Sequence, residues 1–335
     1  MLDKIGVIGG GFIGGVLVQE LARRRLARVV AVTDPAPFVN PNDPSEKQAV
    51  VRKQSVAQGK ALDIAEGAPL IGSDVVLQAS RDYDILDGCD MVINTAGVPR
   101  KARADGTFPS REELLAINLK VTGEVADAIR KHCPRAMIIS IANPLDAIVY
   151  TLYKRLGVPK SRLLGMAGVL DSARYRYFVA QEAGVSVENV EAMVLGGHGD
   201  TMVPVRSCCR IAGMPVESFI APDRLDAIED RTRKAGGEVV GLLGFGSAFV
   251  SPALSALEMA EAIIYDKKKI LAVCCLLQGE YGVRDLFVGV PAIIGKNGIE
   301  RIIEVDLTAQ EKNGLALSAD AVQKTCREVD KLLRT

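Results

Sequence analysis

Ile5-Gly-Val-Ile8 runs directly into Gly9-Gly10-Gly11-Phe12-Ile13-Gly14, and the reading of this stretch decides the fold. A short apolar run that breaks into G-x-G-x-x-G and continues as the helical pattern Phe12–Arg25 reads as strand, tight turn and helix. Glycines there let the chain reverse sharply, let a pyrophosphate approach the backbone, and let helix pack on strand. The helix N-terminus then favours the phosphate charge. Asp34 stands 20 residues after Gly14, at the end of the next apolar run. A carboxylate at that point would hydrogen-bond the hydroxyls of an adenosine ribose and repel a 2′-phosphate. The expectation is therefore NAD, held by Gly9, Gly11, Phe12, Ile13, Gly14 and Asp34. Arg52 and Lys53, further along, are the residues that would change this if they fold near the adenosine.

Outward from the turn, short apolar runs alternate with helical patterns. The runs are Ile5–Ile8, Arg28–Val32, Val75–Gln78, Met91–Asn94, Ala136–Ile141 and Arg162–Gly165. Most are continuously apolar rather than alternating, as expected for parallel strands covered on both faces. A helix is predicted from Ser110 to Lys131, opening on the capping box Ser110-Arg-Glu-Glu113. Residues 35–58 interrupt the rhythm with Pro35, Pro37, Pro41 and Pro44, followed by a second capping-box pattern, Ser45-Glu-Lys-Gln48. The spacing predicts a helix from about 46 to 66, with the proline stretch an ordered or a mobile surface loop. Past residue 166 helical patterns dominate, and the chain closes on a helix near Ser318–Leu333, with Val322, Cys326, Val329 and Leu333 on one face. The fold class is α/β: an N-terminal Rossmann domain with a doubly wound parallel sheet over 1–165, then an α+β catalytic domain over 166–335.

The composition narrows the function. With 335 residues, 41 Lys+Arg against 41 Asp+Glu, and 48% hydrophobic residues, the chain is ordinary globular material long enough for two cores. A formal charge of zero argues against a nucleic-acid partner, which needs a basic surplus, and against a polybasic membrane-surface protein. No apolar stretch reaches the length of a membrane span, and the first residues lack a signal peptide's layout. The seven cysteines are odd in number and contain no C-x-x-C, so neither a metal site nor a disulfide framework is suggested. A reduced, cytoplasmic compartment is expected.

Hydride transfer from an alcohol also moves a proton, and histidine is the side chain best suited to carry it near neutral pH. The sequence has two histidines. His132, in Arg130-Lys-His-Cys-Pro134, reads as a surface residue favoured by a helix C-terminus. His198, in Leu195-Gly-Gly-His-Gly-Asp-Thr201, is flanked by glycines that let a ligand come close. If the chain uses a histidine base, it is His198. In Gly168-Val-Leu-Asp-Ser-Ala-Arg174, Asp171 and Arg174 share a helix face. Taken alone, they read as an ordinary surface ion pair.

Together these residues resemble the lactate/malate dehydrogenase family, and within it the lactate-dehydrogenase-like malate dehydrogenases. The resemblance spans nearly the whole chain. It rests on the glycine turn, Gly59-Lys-Ala-Leu-Asp63, Thr95-Ala-Gly-Val-Pro-Arg100, Ala142-Asn-Pro-Leu-Asp146, Leu170-Asp-Ser-Ala-Arg174 and Gly196-Gly-His-Gly-Asp200. It implies reversible hydride transfer between (S)-malate and oxaloacetate, a tricarboxylic acid cycle reaction, with cofactor binding first and a loop then closing. His198 would be the proton acceptor and donor, and Asp171 would orient its imidazole. Arg174 would grip the substrate's C1 carboxylate and Arg111 would polarise the reacting carbonyl. Asn143 would meet both cofactor and substrate, Asn118 would meet the cofactor, and Ile141 and Ala142 would line the nicotinamide side. Arg100 would pair the second carboxylate of a dicarboxylate, where lactate enzymes usually carry glutamine. Ala248 is malate-like by the same comparison. The resemblance also implies a homo-oligomer, a tetramer rather than a dimer.

Two departures from the family pattern stand out. Ten residues, Lys101–Ser110, separate Arg100 from Arg111 where most malate enzymes have about five. That length is similar to apicomplexan lactate dehydrogenases, in which an aromatic is presented to pyruvate. Phe108 would take that part in a lactate or dual-specificity enzyme; otherwise the loop is a longer solvated lid with Arg100, or even Arg103, facing the substrate. The second departure is the stretch 35–58 itself.

Overall fold

The computed structural model describes residues 1–35, 55–98, 110–244 and 246–333. Its centre is a sheet of nine strands. Six are parallel: β1 (Leu2–Ile8), β2 (Ala27–Thr33), β3 (Val76–Ser80), β4 (Met91–Asn94), β5 (Met137–Ser140) and β6 (Leu163–Gly165). Their spatial order is β3-β2-β1-β4-β5-β6, the doubly wound arrangement that the alternating apolar runs predict. Neighbouring residues along each strand serve opposite faces. Val7, Ile93 and Ile139 lie in one buried cluster with Leu17 and Leu21 of α1 (Phe12–Arg23). Ile8, Val92 and Ile138 lie in the other, with Val125 and Ile129 of α3 (Arg111–His132). Both faces are therefore dry, and each fully buried Ile or Val contributes roughly 1.5–3 kcal/mol.

Three further strands extend the same sheet: β7 (Lys269–Gln278), β8 (Arg284–Gly295) and β9 (Gly298–Ile302). All pair antiparallel, and β7 joins β6 through Cys274 opposite Gly165. The helical reading of the second half missed these strands, because periodicity alone does not separate a short apolar strand from a buried helix.

The helix expected over about 46–66 is corrected. Residues 46–54 and their capping box lie outside the described residues, but α2 runs Val56–Ile71, with an extended Ser55 as its N-cap accepting a hydrogen bond from the Gln58 N–H at 3.3 Å. The helix continues through Pro69 to Gly72, whose left-handed φ of 60° ends it. The capping box at Ser110 forms as expected and starts α3. The last helix, α8 (Ala309–Leu332), begins earlier than predicted, on an overlooked capping box of Thr308 and Glu311. Val322, Cys326 and Val329 face the core, whereas Leu333 does not.

Candidate active site

The strand order reverses direction between β1 and β4, and the turns leaving those two strands meet there. Gly9 turns with φ at 103°, and a Cβ on it would sit 2.5 Å from Thr95 Oγ1. The Thr95 hydroxyl lies 3.1 Å from both the Ile8 and Gly9 carbonyl oxygens. A Cβ on Gly14 would fall 1.9 Å from the Gly9 carbonyl oxygen, so α1 lies directly on the turn. Its N-cap, Gly11, has no side chain to occupy the first helical N–H groups. Such a helix start binds a phosphate. Asp34, just past β2, accepts the Gly10 N–H through Oδ2 at 3.0 Å. Beyond it a cavity of about 470 Å³ is lined by Pro35, Gln58, Ser80, Arg81 and Asp82. Turn, uncapped helix, carboxylate and cavity follow one another as pyrophosphate, ribose and adenine do, so these residues fit NAD. Phe12 is 58% exposed and its ring centroid is 5.4 Å from that of Phe249. Ile13 is half-buried.

Lys60 was missed in the sequence. Its ammonium reaches from α2 to the Gly10 carbonyl at 3.0 Å and to that of Gly11, and lies 5.3 Å over the Phe12 ring. Burial lowers its pKa, with Asp34 opposing. The signal was its place in Gly59-Lys-Ala-Leu-Asp63, which periodicity reads only as helix.

The residues expected to handle the proton lie on α5 (Gly168–Ala183) and the loop after Leu195. His198 Nδ1 lies 2.8 Å from Asp171 Oδ2, and Arg174 Nη1 donates to Asp171 Oδ1 at 3.2 Å. A carboxylate only accepts, so Nδ1 carries its proton and Nε2 is left able to accept one. Asp171 is 1% exposed, which rules out the ordinary surface pair. Burial opposes charging of His198, but the charge and hydrogen bond of Asp171, helped by Asp146, raise its pKa above the ordinary histidine value. Burial lowers the pKa of Arg174, with Asp171 acting against it. The helix α6 (Pro222–Leu243) passes over Arg174 with Gly236, where a Cβ would come 3.8 Å from both terminal guanidinium nitrogens. A glycine there leaves the guanidinium room for a ligand.

The His198 loop is fastened from three sides. Gly196 exchanges backbone hydrogen bonds with Gly289 of β8 at 2.8 and 3.0 Å. A Cβ on Gly196 (φ 95°) would come 2.5 Å from Ser318 Oγ of α8. Ser318 accepts the Gly197 N–H at 2.9 Å, and Asp146 accepts the His198 N–H at 3.0 Å. Ser318 carried no sequence signal, being 121 residues away from the Gly197 N–H it holds.

Other expected residues fall in varied places. Asn143 is exposed, beside a cis peptide bond to Pro144. Asn118 is 2% exposed; its Nδ2 donates to the Val98 and Asn143 carbonyls, both at 3.2 Å, and its Oδ1 accepts the Val98 N–H at 2.7 Å. Asn118 thus ties the turn after β4 to the turn after β5. Ile141 and Ala142 are buried in the two apolar clusters. Arg111 is the first residue of α3, and its side chain lies outside the described residues. Arg52, Lys53, Arg100, Arg103 and Phe108 also lie outside them. His132 stands at the C-terminal end of α3 as expected, its ring mostly covered and its Nδ1 2.6 Å from Asp87 Oδ1. Among the described residues, no group of three or more His, Cys, Asp or Glu is placed to hold a metal ion. No described helix is long and apolar enough to cross a membrane.

Comparison with known proteins identifies the family. Residues 3–165 match the family model for the lactate/malate dehydrogenase NAD binding domain, and residues 168–332 match that for the alpha/beta C-terminal domain of the same proteins. The malate dehydrogenase of Sorangium cellulosum (strain So ce56) is 46% identical over 320 residues, 96% of this chain and 95% of the relative. The crystal structure of Cryptosporidium parvum malate dehydrogenase superposes with a TM-score of 0.89 at 39% identity, covering 99% of this chain and 100% of the other. The C. parvum lactate dehydrogenase, solved with lactic acid and the NAD cofactor, gives 0.88 at 38% identity over 98% of each chain.

Proposed function

Because the chain belongs to the lactate/malate dehydrogenase family and is thus an NAD-dependent oxidoreductase, we propose that it interconverts (S)-malate and oxaloacetate, a tricarboxylic acid cycle reaction. The observation that carries the reading is the Arg174–Asp171–His198 constellation, with an NAD-fitting turn on the same molecule. NAD, when bound, supplies the hydride acceptor. His198 Nε2 takes the proton of the malate hydroxyl, and Asp171 stabilises the imidazolium that forms. In the reverse direction the same nitrogen returns the proton. Arg174 grips the C1 carboxylate through a two-pronged fork. Arg100 pairs the second carboxylate and Arg111 polarises the reacting carbonyl. Asn143 meets substrate and cofactor from the turn after β5, and Asn118 serves the cofactor by fixing the two turns it ties together. Oxidation of NADH driven by oxaloacetate tests this reading, and its absence sinks it. Residues 1–165 act as the cofactor unit and 166–335 as the substrate unit, a division supported by the two family-model matches.

The similarity to a lactate dehydrogenase and the longer loop with Phe108 favour a second reading, pyruvate reduction with the same proton chemistry.

A cytoplasmic setting is supported by seven free thiols, all but Cys208 buried. The expected homo-oligomer, a tetramer, is supported by exposed apolar side chains on three helices. These are Leu62 and Leu70 of α2, Leu242 at the end of α6, and Leu254 of α7 (Val250–Ile264), with Leu70 89% and Leu242 83% exposed. Light scattering should give a mass near four chains; a monomer would contradict the proposal.

A further inference from the structure

The carboxylate of Asp146 carries no proton in the relay described so far, yet it lies against the His198 loop. It sits in the first turn of α4 (Leu145–Leu156), directly after the Asn143-Pro144 pair. Its Oδ2 accepts the His198 N–H at 3.0 Å, and its Oδ1 takes the thiol of the fully buried Cys274 at 3.3 Å. Both partners are donors, which is the pattern an ionised carboxylate accepts. A Cβ on Gly197 would come 3.2 Å from Asp146 Oδ2, so the glycine beside the histidine admits this carboxylate.

We propose that Asp146 is a positioning residue of this site, holding the backbone of His198 and adding a second carboxylate to the surroundings of its imidazole. This rests on His198 being the proton carrier.

Four elements supply the groups around Asp146 and the His198 loop. Helix α5 contributes Asp171 and Arg174, α4 contributes Asp146, and β7 contributes Cys274, whose thiol is held neutral by burial. Helix α8 contributes the uncharged Ser318 and, near Asp146, the Cys326 thiol, kept neutral by burial that pushes its pKa up to about 12. On the loop itself Asp200 is exposed. Asp171 and Asp146 favour the imidazolium, while Arg174 disfavours it. Burial pushes the pKa of Asp146 up, opposed by His198 and by the thiol. Removing its charge while keeping its shape must therefore make His198 easier to deprotonate.

The test is the titration of His198 by NMR in the histidine-labelled full-length protein, where only two histidines need to be told apart. In Asp146→Asn the His198 midpoint should fall by about 0.5–1 unit, with His132 unmoved as internal control. The acidic limb of kcat/KM for malate should move to lower pH by the same amount. Asp146→Ala, which also removes the acceptor of the His198 N–H, should lower kcat by about ten- to a hundredfold. A folded Asp146→Asn protein with an unchanged His198 midpoint overturns the proposal, since a merely structural carboxylate would alter stability alone. If that variant does not fold, Cys274→Ala takes its place. Stripping one donor from Asp146 makes it easier to protonate, so the midpoint should move the same way by less, and no movement overturns the proposal. Failure of wild-type turnover with any 2-oxoacid would instead sink the functional reading and leave the titration result standing.

Discussion

Replacing His198 with alanine should lower kcat with oxaloacetate by about 10²- to 10⁴-fold, the usual contribution of a positioned proton carrier. NADH affinity should stay within a few-fold of wild type. The separation follows from the structure. The cofactor turn is held by Thr95, Lys60 and Asp34, whereas His198 is held by Asp171, Asp146 and the Gly196–Gly289 pairing. The other histidine, His132, is paired with Asp87 at the far end of α3 and offers no substitute. Stopped-flow fluorescence gives NADH affinity and a steady-state assay gives kcat. A variant that loses NADH affinity and keeps kcat would show that the proton carrier lies elsewhere.

Arg174→Lys should lower kcat/KM for oxaloacetate by about 10²- to 10⁴-fold, corresponding to the loss of a buried, doubly bonded charge pair. Lysine keeps the charge but has no planar fork, and it presents a point charge where two parallel N–H groups are required. The position makes the loss severe. The guanidinium is largely covered, bonded to Asp171, and faced by a glycine of α6. The shorter reach of an ammonium leaves the substrate carboxylate incompletely paired in a dry site. The loss should fall on both KM and kcat, because a loosely held substrate also presents its carbonyl poorly to His198. Near-normal kcat/KM in this variant would mean that another cation grips the C1 carboxylate.

How much of this was legible in the chain depends on the range of each interaction. The parallel sheet was readable because strand, turn and helix are encoded within neighbouring residues, as in Ile5–Gly14 and the capping box of Ser110. His198 was identifiable from the small histidine count and its glycines. That Asp171 is buried and Arg174 largely covered, rather than a surface pair, could not be read from the spacing, because i,i+3 spacing says nothing about what covers a helix face. Lys60, Asp146 and Ser318 act through backbone groups 50, 52 and 121 residues away, and no local pattern encodes such contacts. The hairpin β7–β8 was unread for a different reason: after the exposed Arg284 and Asp285, Leu286–Val290 is apolar without alternation, because both of its faces are buried. The helix expected at 46–66 holds from Val56 onward; its start was misplaced because Ser45 and Ser55 carry the same Ser-x-x-Gln spacing, and it is the Ser55 side chain that caps α2.

The most direct test of the central claim is kcat/KM for oxaloacetate against kcat/KM for pyruvate, measured with NADH on the same preparation. A closed site built to pair two carboxylates leaves a cation unpaired when pyruvate binds, so oxaloacetate should be favoured by at least about 10²-fold. Equal use of the two, or a preference for pyruvate, would contradict the account and move the choice of substrate from Arg100 to Phe108.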